Sequence, residues 1–448
     1  MPYHTIKVHI ANADDYLLDD ELPPERFVSK IKHDCFEFDV YTYHAVLIKY
    51  KGITEKVIIP DTINEVPLTE IVQKAFYANI HIKSVTLPSH LKLLGDYAFC
   101  NCENLQNVEF DSELEQIGNM AFFECTALKN VKLPPKLKII GNSAFNNCIN
   151  LMEVNIPQSV NNIGENAFKQ TKWLALQTAP LYINNILISD VTDEIIVVPY
   201  GVEKISGGAY QFNRKIREIR LPDTIKEIGS GAFSHCERLE KINIPPSVSI
   251  IEPYLFSQCA SLKEILLPDS ISQIGGGAFA GCSSLTTINI PHNTEIIREY
   301  AFKGCNSLKD IIIPDSVTSI GKGAFESCLT LENVVLSRNI CAIADETFRN
   351  CASILRITVP EKVKNIGKSA FEGCISLTEF NAEGRNFSGF LSIDKYRVIR
   401  ERAFYGCTKL EKIILTSDFK LFGKSAFGNT LWIANQPKPV TINGVVLK

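Results

Sequence analysis

Apolar residues in this chain recur on a fixed ruler. Phe, usually preceded by Ala, falls at positions 76, 99, 122, 145 and 168, each 23 residues after the last. After a gap, Tyr210 takes the place of Phe, and Phe233, Phe256, Phe279, Phe302, Phe325, Phe348 and Phe371 follow at the same interval, then Phe404 and Phe427. Around each mark runs one template, Leu-x-x-Ile-x-Ile-Pro-x-x-Val-x-x-Ile-Gly-x-x-Ala-Phe-x-x-Cys, as in Leu285 to Cys305 and Leu308 to Cys328. Its alternating Ile-x-Ile predicts a short strand with both isoleucines turned inward. Pro just past it lacks an N–H and ends the pairing. Glycines such as Gly118 and Gly141 mark a turn too tight for a side chain. A single coil of this kind cannot bury its own apolar face, so neighbouring coils must supply the core. The chain therefore reads as a repeat solenoid of about fifteen coils.

The recurring Ile-Pro, Ile-Gly, Ala-Phe and Cys pattern resembles the BspA-like leucine-rich-repeat family over roughly residues 60 to 448. The resemblance implies a right-handed solenoid with a parallel sheet on one face and short irregular or helical turns on the other. It also implies a surface-exposed, adhesive or partner-binding role, with a host or cell-surface protein as the kind of partner, and no active site. At about 4.8 Å per stacked strand the array would be on the order of 70 Å long.

Two interruptions break the ruler, and in a solenoid such departures map to surface loops. Between Phe168 and Tyr210 there are 19 extra residues, in which YINNILI and EIIVVP read as the two arms of a hairpin. The end of the chain repeats this phrase: Phe168 to Trp173 matches Phe427 to Trp432, and the segment from Tyr182 matches that from Thr441. This second copy reads as a C-terminal cap, or as a point from which a longer protein continues. The other interruption, between Phe371 and Phe404, is ten residues longer than the ruler and carries Arg385, Lys395, Arg397, Arg400 and Arg402. It reads as a solvated loop, with a basic contact for an acidic partner as the alternative. At the start, FDVYTYHAVLIKYKGITEKVIIP alternates like a hairpin covering the open sheet end. Residues 1–60 thus form a capping segment, 61–168 a first repeat block, 169–209 the insert with Trp173, 210–427 a second block with a loop near 384–400, and 428–448 the closing hairpin.

Composition adds mostly exclusions. A formal net charge of -4 over 448 residues gives no global attraction to nucleic acid or anionic membrane, and no apolar run is long enough for a membrane span. The N-terminus shows no apolar segment behind a basic start and so reads as lacking a secretion signal, although a chain that had lost its leader would look the same. Asp14, Asp15, Asp19, Asp20, Glu21 and Glu25 form an acidic stretch without EF-hand spacing, read as a solvated linker.

Fourteen cysteines invite a metal or disulfide reading, yet eleven sit three residues after the template aromatic, from Cys102 to Cys407. They read as a buried ladder of small apolar side chains. Cys35, Cys100 and Cys341 fall off it, with Cys100 read as a surface neighbour of the Cys102 rung. A thiol-rich chain without a leader suits a reducing, cytoplasmic compartment, whereas the family resemblance points to the cell surface. Scattered histidines offer no ligand spacing, and the tripeptide His33-Asp34-Cys35 is a poor nucleophile site because sequence neighbours seldom converge. No catalytic residue, metal or cofactor is expected.

A partner would then bind the outward positions of the strand. The middle outward column runs Thr86, Glu109, Lys132, Asn155, Arg220, Asn243, Leu266, Asn289, Ile312, Val335, Thr358, Asn381 and Ile414. Its second half turns apolar, and Leu355 and Met152 add apolar side chains at neighbouring positions. Capture of a protein on Leu266, Ile312, Val335, Leu355, Ile414 and Met152 is one reading; an architectural, self-assembling module is the other.

Overall fold

The computed structural model describes residues 25–110, 113–176, 181–189, 193–383, 396–437, 439–443 and 445–447. Within them the chain is a β-solenoid of about fifteen turns with almost no helix. Each coil carries its strand residue for residue onto the next: Ser84–Thr86 pairs in parallel with Asn107–Glu109, and Asp310–Ile312 with Asn333–Val335. The register is the ruler itself, Val85 facing Val108 and Ile311 facing Val334. Inward isoleucines are buried while the residues flanking them stay exposed, the two-residue alternation that a strand imposes.

The template segment before glycine adds a second parallel ladder, which the reading of strand plus turn left out. Leu93–Leu94, Gln116–Ile117, Ile139–Ile140 and Asn162–Ile163 stack in order. The glycine that follows is fixed by proximity: the Gly118 N–H donates to Leu94 O at 2.7 Å. A Cβ at Gly118 would stand 2.6 Å from the Asp96 backbone nitrogen. Neighbouring coils approach here backbone to backbone, a distance only glycine permits.

The Ala-Phe segment turns the chain back. Template phenylalanines are buried and stack ring on ring, Phe99 on Phe122 at 5.3 Å and Phe279 on Phe302 at 5.3 Å. Three residues later each ladder thiol donates to the carbonyl of the previous coil's Phe, Cys125 to Phe99 at 3.1 Å and Cys328 to Phe302 at 3.2 Å. One rung thus fills volume and satisfies a buried carbonyl at once.

The chain opens on three antiparallel strands, β1 (Phe27–His33), β2 (Phe36–Tyr41) and β3 (Ala45–Tyr50). β3 joins Val66–Ile71 in parallel and hands the chain to the glycine-side ladder. The closing part of that leading segment belongs to the repeat, because Lys56–Ile58 already pairs in parallel with Ser84–Thr86. The first interruption shows the same correction. Leu181–Ile183 and Ile186–Ser189 do form a hairpin, turning on Asn184 and Asn185 with φ 47° and 64°. The EIIVVP segment is not its other arm: Ile195–Val197 is a template strand, paired in parallel with Glu218–Arg220. Pro199 after Ile196-x-Val198 was the template signature, obscured by the missing Phe.

The two copies of the Trp phrase fold alike. Thr171 and Thr430 cap one-turn helices, α1 (Lys172–Ala175) and α2 (Leu431–Ala434), and Trp173 and Trp432 pack against Phe168 and Phe427 at 4.9 and 5.3 Å. Asn184 and Asn443 each donate their side-chain amide to two carbonyls of the preceding coil. Thr441–Ile442 and Val445–Val446 close the second copy as an antiparallel hairpin.

Candidate functional site

A parallel strand ladder leaves every second side chain pointing away from the core. Of the outward apolar residues, Leu266 is 78% and Ile312 68% exposed, and Val335, Leu355, Met152 and Ile414 are exposed as well. The structure does not gather all six. Ile312 and Val335 are register partners on adjacent strands, and Val335 and Leu355 line one shallow groove of about 580 Å³ together with Asn333, Arg338, Arg356 and Glu383. Leu266 stands apart, because Asn289 separates it from Ile312. The Asn289 side chain turns back onto the backbone of Leu267, accepting from its N–H at 2.9 Å and donating to its carbonyl at 2.8 Å. Asn243 makes the same clamp on Leu221. Met152 belongs to the first block, and Ile414 lies beyond Thr358 and Asn381. The contiguous apolar surface is therefore Ile312, Val335 and Leu355.

Sequence reasoning missed further exposed apolar residues on the same ladder. Ile58 pairs opposite Thr86 and Val197 opposite Arg220, and Ile195 and Tyr200 join Val197 at the surface. The Ile-x-Ile/Val-Pro signature in EKVIIP and EIIVVP was the available signal.

The described members of the basic loop, Arg397, Arg400 and Arg402, are each engaged differently. Arg385 and Lys395 lie outside the described residues, as do Asp14, Asp15, Asp19, Asp20 and Glu21 of the acidic stretch. Arg397, expected at the surface, is only 2% exposed. Its guanidinium donates to Val363 O at 2.7 Å, Glu383 O at 2.8 Å, Thr416 Oγ1 at 3.2 Å and Pro360 O at 3.3 Å, and lies 4.4 Å from the Phe419 ring centroid. Burial pulls its pKa below the usual arginine value, against the nearby Asp418 carboxylate, which pushes it up. Its five donors close off the ends of the interruption, a structural use that charge counting could not foresee. Arg400 is exposed and bonds Asn365 at 2.8 Å, while Arg402 is spent on Glu372 at 2.5 Å and on the Tyr405 ring.

Among the described residues the ladder thiols are buried and the histidines are scattered along the chain. Burial pushes the Cys102, Cys148 and Cys282 thiols up to about 12, far from the thiolate that nucleophiles and metal sites need. Cys100 is a correction: it is buried, not a surface neighbour, and its thiol is raised to about 11, chiefly by desolvation. Exposed thiols are Cys35, at the turn between β1 and β2, and Cys341. His33 and Asp34 beside Cys35 are solvent-exposed, 3.7 Å apart. Among the described residues no group of three or more His, Cys, Asp or Glu could hold a metal ion, and no helix is long and apolar enough to cross a membrane.

A repeat scaffold with stacked aromatic and cysteine rungs is the class these features define. The chain belongs to the BspA-type leucine-rich-repeat family, whose repeat-region model matches residues 50–175, 183–307, 272–390 and 383–443. Among solved structures it is similar to a leucine-rich repeat protein from Bacteroides ovatus, 23% identical, covering 93% of each chain with a TM-score of 0.49. It is also similar to a leucine-rich repeat protein of T. pallidum, 25% identical, over 47% of this chain and 91% of that one, TM-score 0.35. The pneumococcal vaccine antigen PcpA is 17% identical over 89% of this chain and 94% of its own, TM-score 0.33. No curated protein matches the chain.

Proposed function

We propose that this chain is a non-catalytic binding scaffold that captures a protein partner on its outward strand face, in the manner of an adhesin. The observation that carries this reading is the run of exposed Ile312, Val335 and Leu355 across adjacent coils, beside a groove flanked by Arg338 and Arg356. Single exposed apolar residues are ordinary on any protein, whereas a contiguous apolar column with a charged rim is the composition of a contact surface. The family membership supports a scaffold, and the raised thiols and scattered histidines offer no reacting group.

The test compares partner capture by the wild-type chain, the triple variant Leu266→Glu, Ile312→Glu, Val335→Glu, and a turn-side control, Tyr254→Lys. The triple variant should lose the partner that wild type and control both retain, with an unchanged circular-dichroism spectrum. Equal capture by all three would overturn the site. A separate set with Leu266→Glu alone should behave as wild type, because Asn289 isolates that residue.

A further inference from the structure

Successive turns of the solenoid are bonded in one recurring way. The N–H of the template aromatic donates to the carbonyl just before the next coil's aromatic: Phe99 to Ala121 at 2.7 Å, Phe145 to Ala167 at 2.8 Å, Tyr210 to Ala232 at 2.8 Å and Phe302 to Ala324 at 2.7 Å. Among the described residues no bond of this register joins Phe168 to Ala209. The ladder thiol is also replaced there. Thr171 stands at the cysteine position and donates its hydroxyl to Phe168 O of its own turn at 2.7 Å, where a cysteine would reach the coil before. The ring of Phe168 is met at 62° by Trp173, and a new parallel stack runs from Tyr210 onto Phe233.

The buried side chains follow the same division. Among the described residues they form two clusters, one from Phe38 to Ile186 and the other from Leu187 to Ile442, and only the hairpin packs on both, Ile183 and Ile188 on the first and Tyr182 on the second. A cleft of about 170 Å³, bordered by Phe168, Leu174, Ser206, Gly208 and Gln211, lies where the two turns face each other. Polar side-chain contacts cross the step: Lys169 Nζ to Gln211 Oε1 at 3.2 Å, Lys204 Nζ to Asn162 Oδ1 at 3.0 Å and Ser206 Oγ to Ile163 O at 3.3 Å. Contacts of this kind contribute little compared with a stacked aromatic and its backbone bond.

In a linear array stability is a sum of coil terms and nearest-neighbour terms, so the weakest neighbour term sets where cooperativity stops. We propose that the step between Phe168 and Tyr210 is a joint that divides the solenoid into two cooperative units, one ending near Ile186 and the other starting near Leu187. Either unit unfolds while the other stays folded. The joint needs no partner and does not depend on the strand-face reading.

The chain carries its own reporters, for its two tryptophans, Trp173 and Trp432, pack on the last aromatic of each unit. Two full-length single-tryptophan chains, Trp432→Phe and Trp173→Phe, would be unfolded in urea and followed by fluorescence. Two transitions with different midpoints are expected. Phe302→Leu, in the second unit, should move the Trp432 midpoint to lower urea and leave the Trp173 midpoint in place; Phe99→Leu should do the reverse. Leucine rather than alanine keeps both variants folded at the start, and Ile311→Val and Val85→Ala serve as gentler replacements. A single shared midpoint that moves equally with substitutions in either unit would overturn the joint.

Discussion

Between Phe371 and Phe404 the chain runs ten residues over the ruler, yet the coils on either side remain bonded as if nothing intervened. Phe371 donates to Ala403 at 2.8 Å, the two rings stack at 5.2 Å, and Cys407 reaches Phe371 O at 3.0 Å. Between Phe168 and Tyr210 all three connections change, and the core divides. The contrast lies in what stays bonded across each interruption. At the second interruption the coils on either side stay bonded, and Arg397 ties its own coil to Pro360, Val363 and Glu383. At the first the extra residues contribute a helical turn and a hairpin of their own, whose strand pairs with Lys204–Ile205, and among the described residues the two aromatic turns meet only through side-chain contacts. Extra residues that leave the neighbouring coils bonded add only a slowly growing loop-closure entropy, whereas a step that loses the aromatic stack and its backbone bond weakens a neighbour interface.

The largest effect should come from undoing the Arg397 tie. Arg397→Ala leaves three backbone carbonyls without their buried donor and the Asp418 carboxylate without its neighbouring positive charge, and should cost about 3–5 kcal/mol by urea unfolding of the Trp432-reported unit. A loss under about 1 kcal/mol would mean that the second interruption is held by something else. At the first interruption, Thr171→Ala removes the cap of α1, whose hydroxyl accepts from Leu174 N at 3.2 Å. A loss of about 1 kcal/mol is expected in the Trp173-reported transition, and Thr430→Ala should mirror it in the other.

Acid should separate the two regions by sign. Glu372 is held below the ordinary glutamate value chiefly by the hydrogen bond from Arg402, so its contribution is complete above pH 4.5 and fades as pH falls through its folded value. Glu165, beside the joint, is raised, chiefly by desolvation. Its carboxylate disfavours the folded state at neutral pH, and that penalty is relieved as pH falls through the raised value. Glu372→Gln should therefore lower stability at pH 7 by about 0.5–1 kcal/mol, with the deficit vanishing in acid. Glu165→Gln should raise stability at pH 7 and flatten the acid response; parallel pH curves for both variants and wild type would contradict this. The smallest stability effect belongs to the strand face, where the Leu266, Ile312, Val335 triple variant should stay within about 0.5 kcal/mol of wild type.

The coil geometry was legible because the same residue types recur in register: Phe, Cys and Gly each revealed their packing by appearing at one position many times. What hid was whatever occurs once. The template strand Ile195–Val197 was taken for a hairpin arm because its coil has Tyr210 for Phe and Ser206 for Gly. Arg397 looked like its neighbours in a basic stretch, and only three-dimensional closure shows carbonyls from 34 to 37 residues upstream converging on it. Cys100 looked like a surface outlier of the ladder, yet it is buried. For the candidate site, the alternation located the outward column correctly, but exposure alone could not show that the Asn289 clamp isolates Leu266.

The cysteine rungs also turn the molecule into its own gauge of integrity. With a buried thiol in nearly every coil and Cys35 and Cys341 exposed, brief alkylation of the native chain should add two groups by intact mass. Each additional group would then mark a coil that has opened, the coil of Cys100 and Cys102 adding two. A partly denatured sample should show whether the first new masses appear in a block of four, Cys100 and Cys102 with Cys125 and Cys148, or spread evenly along the ladder.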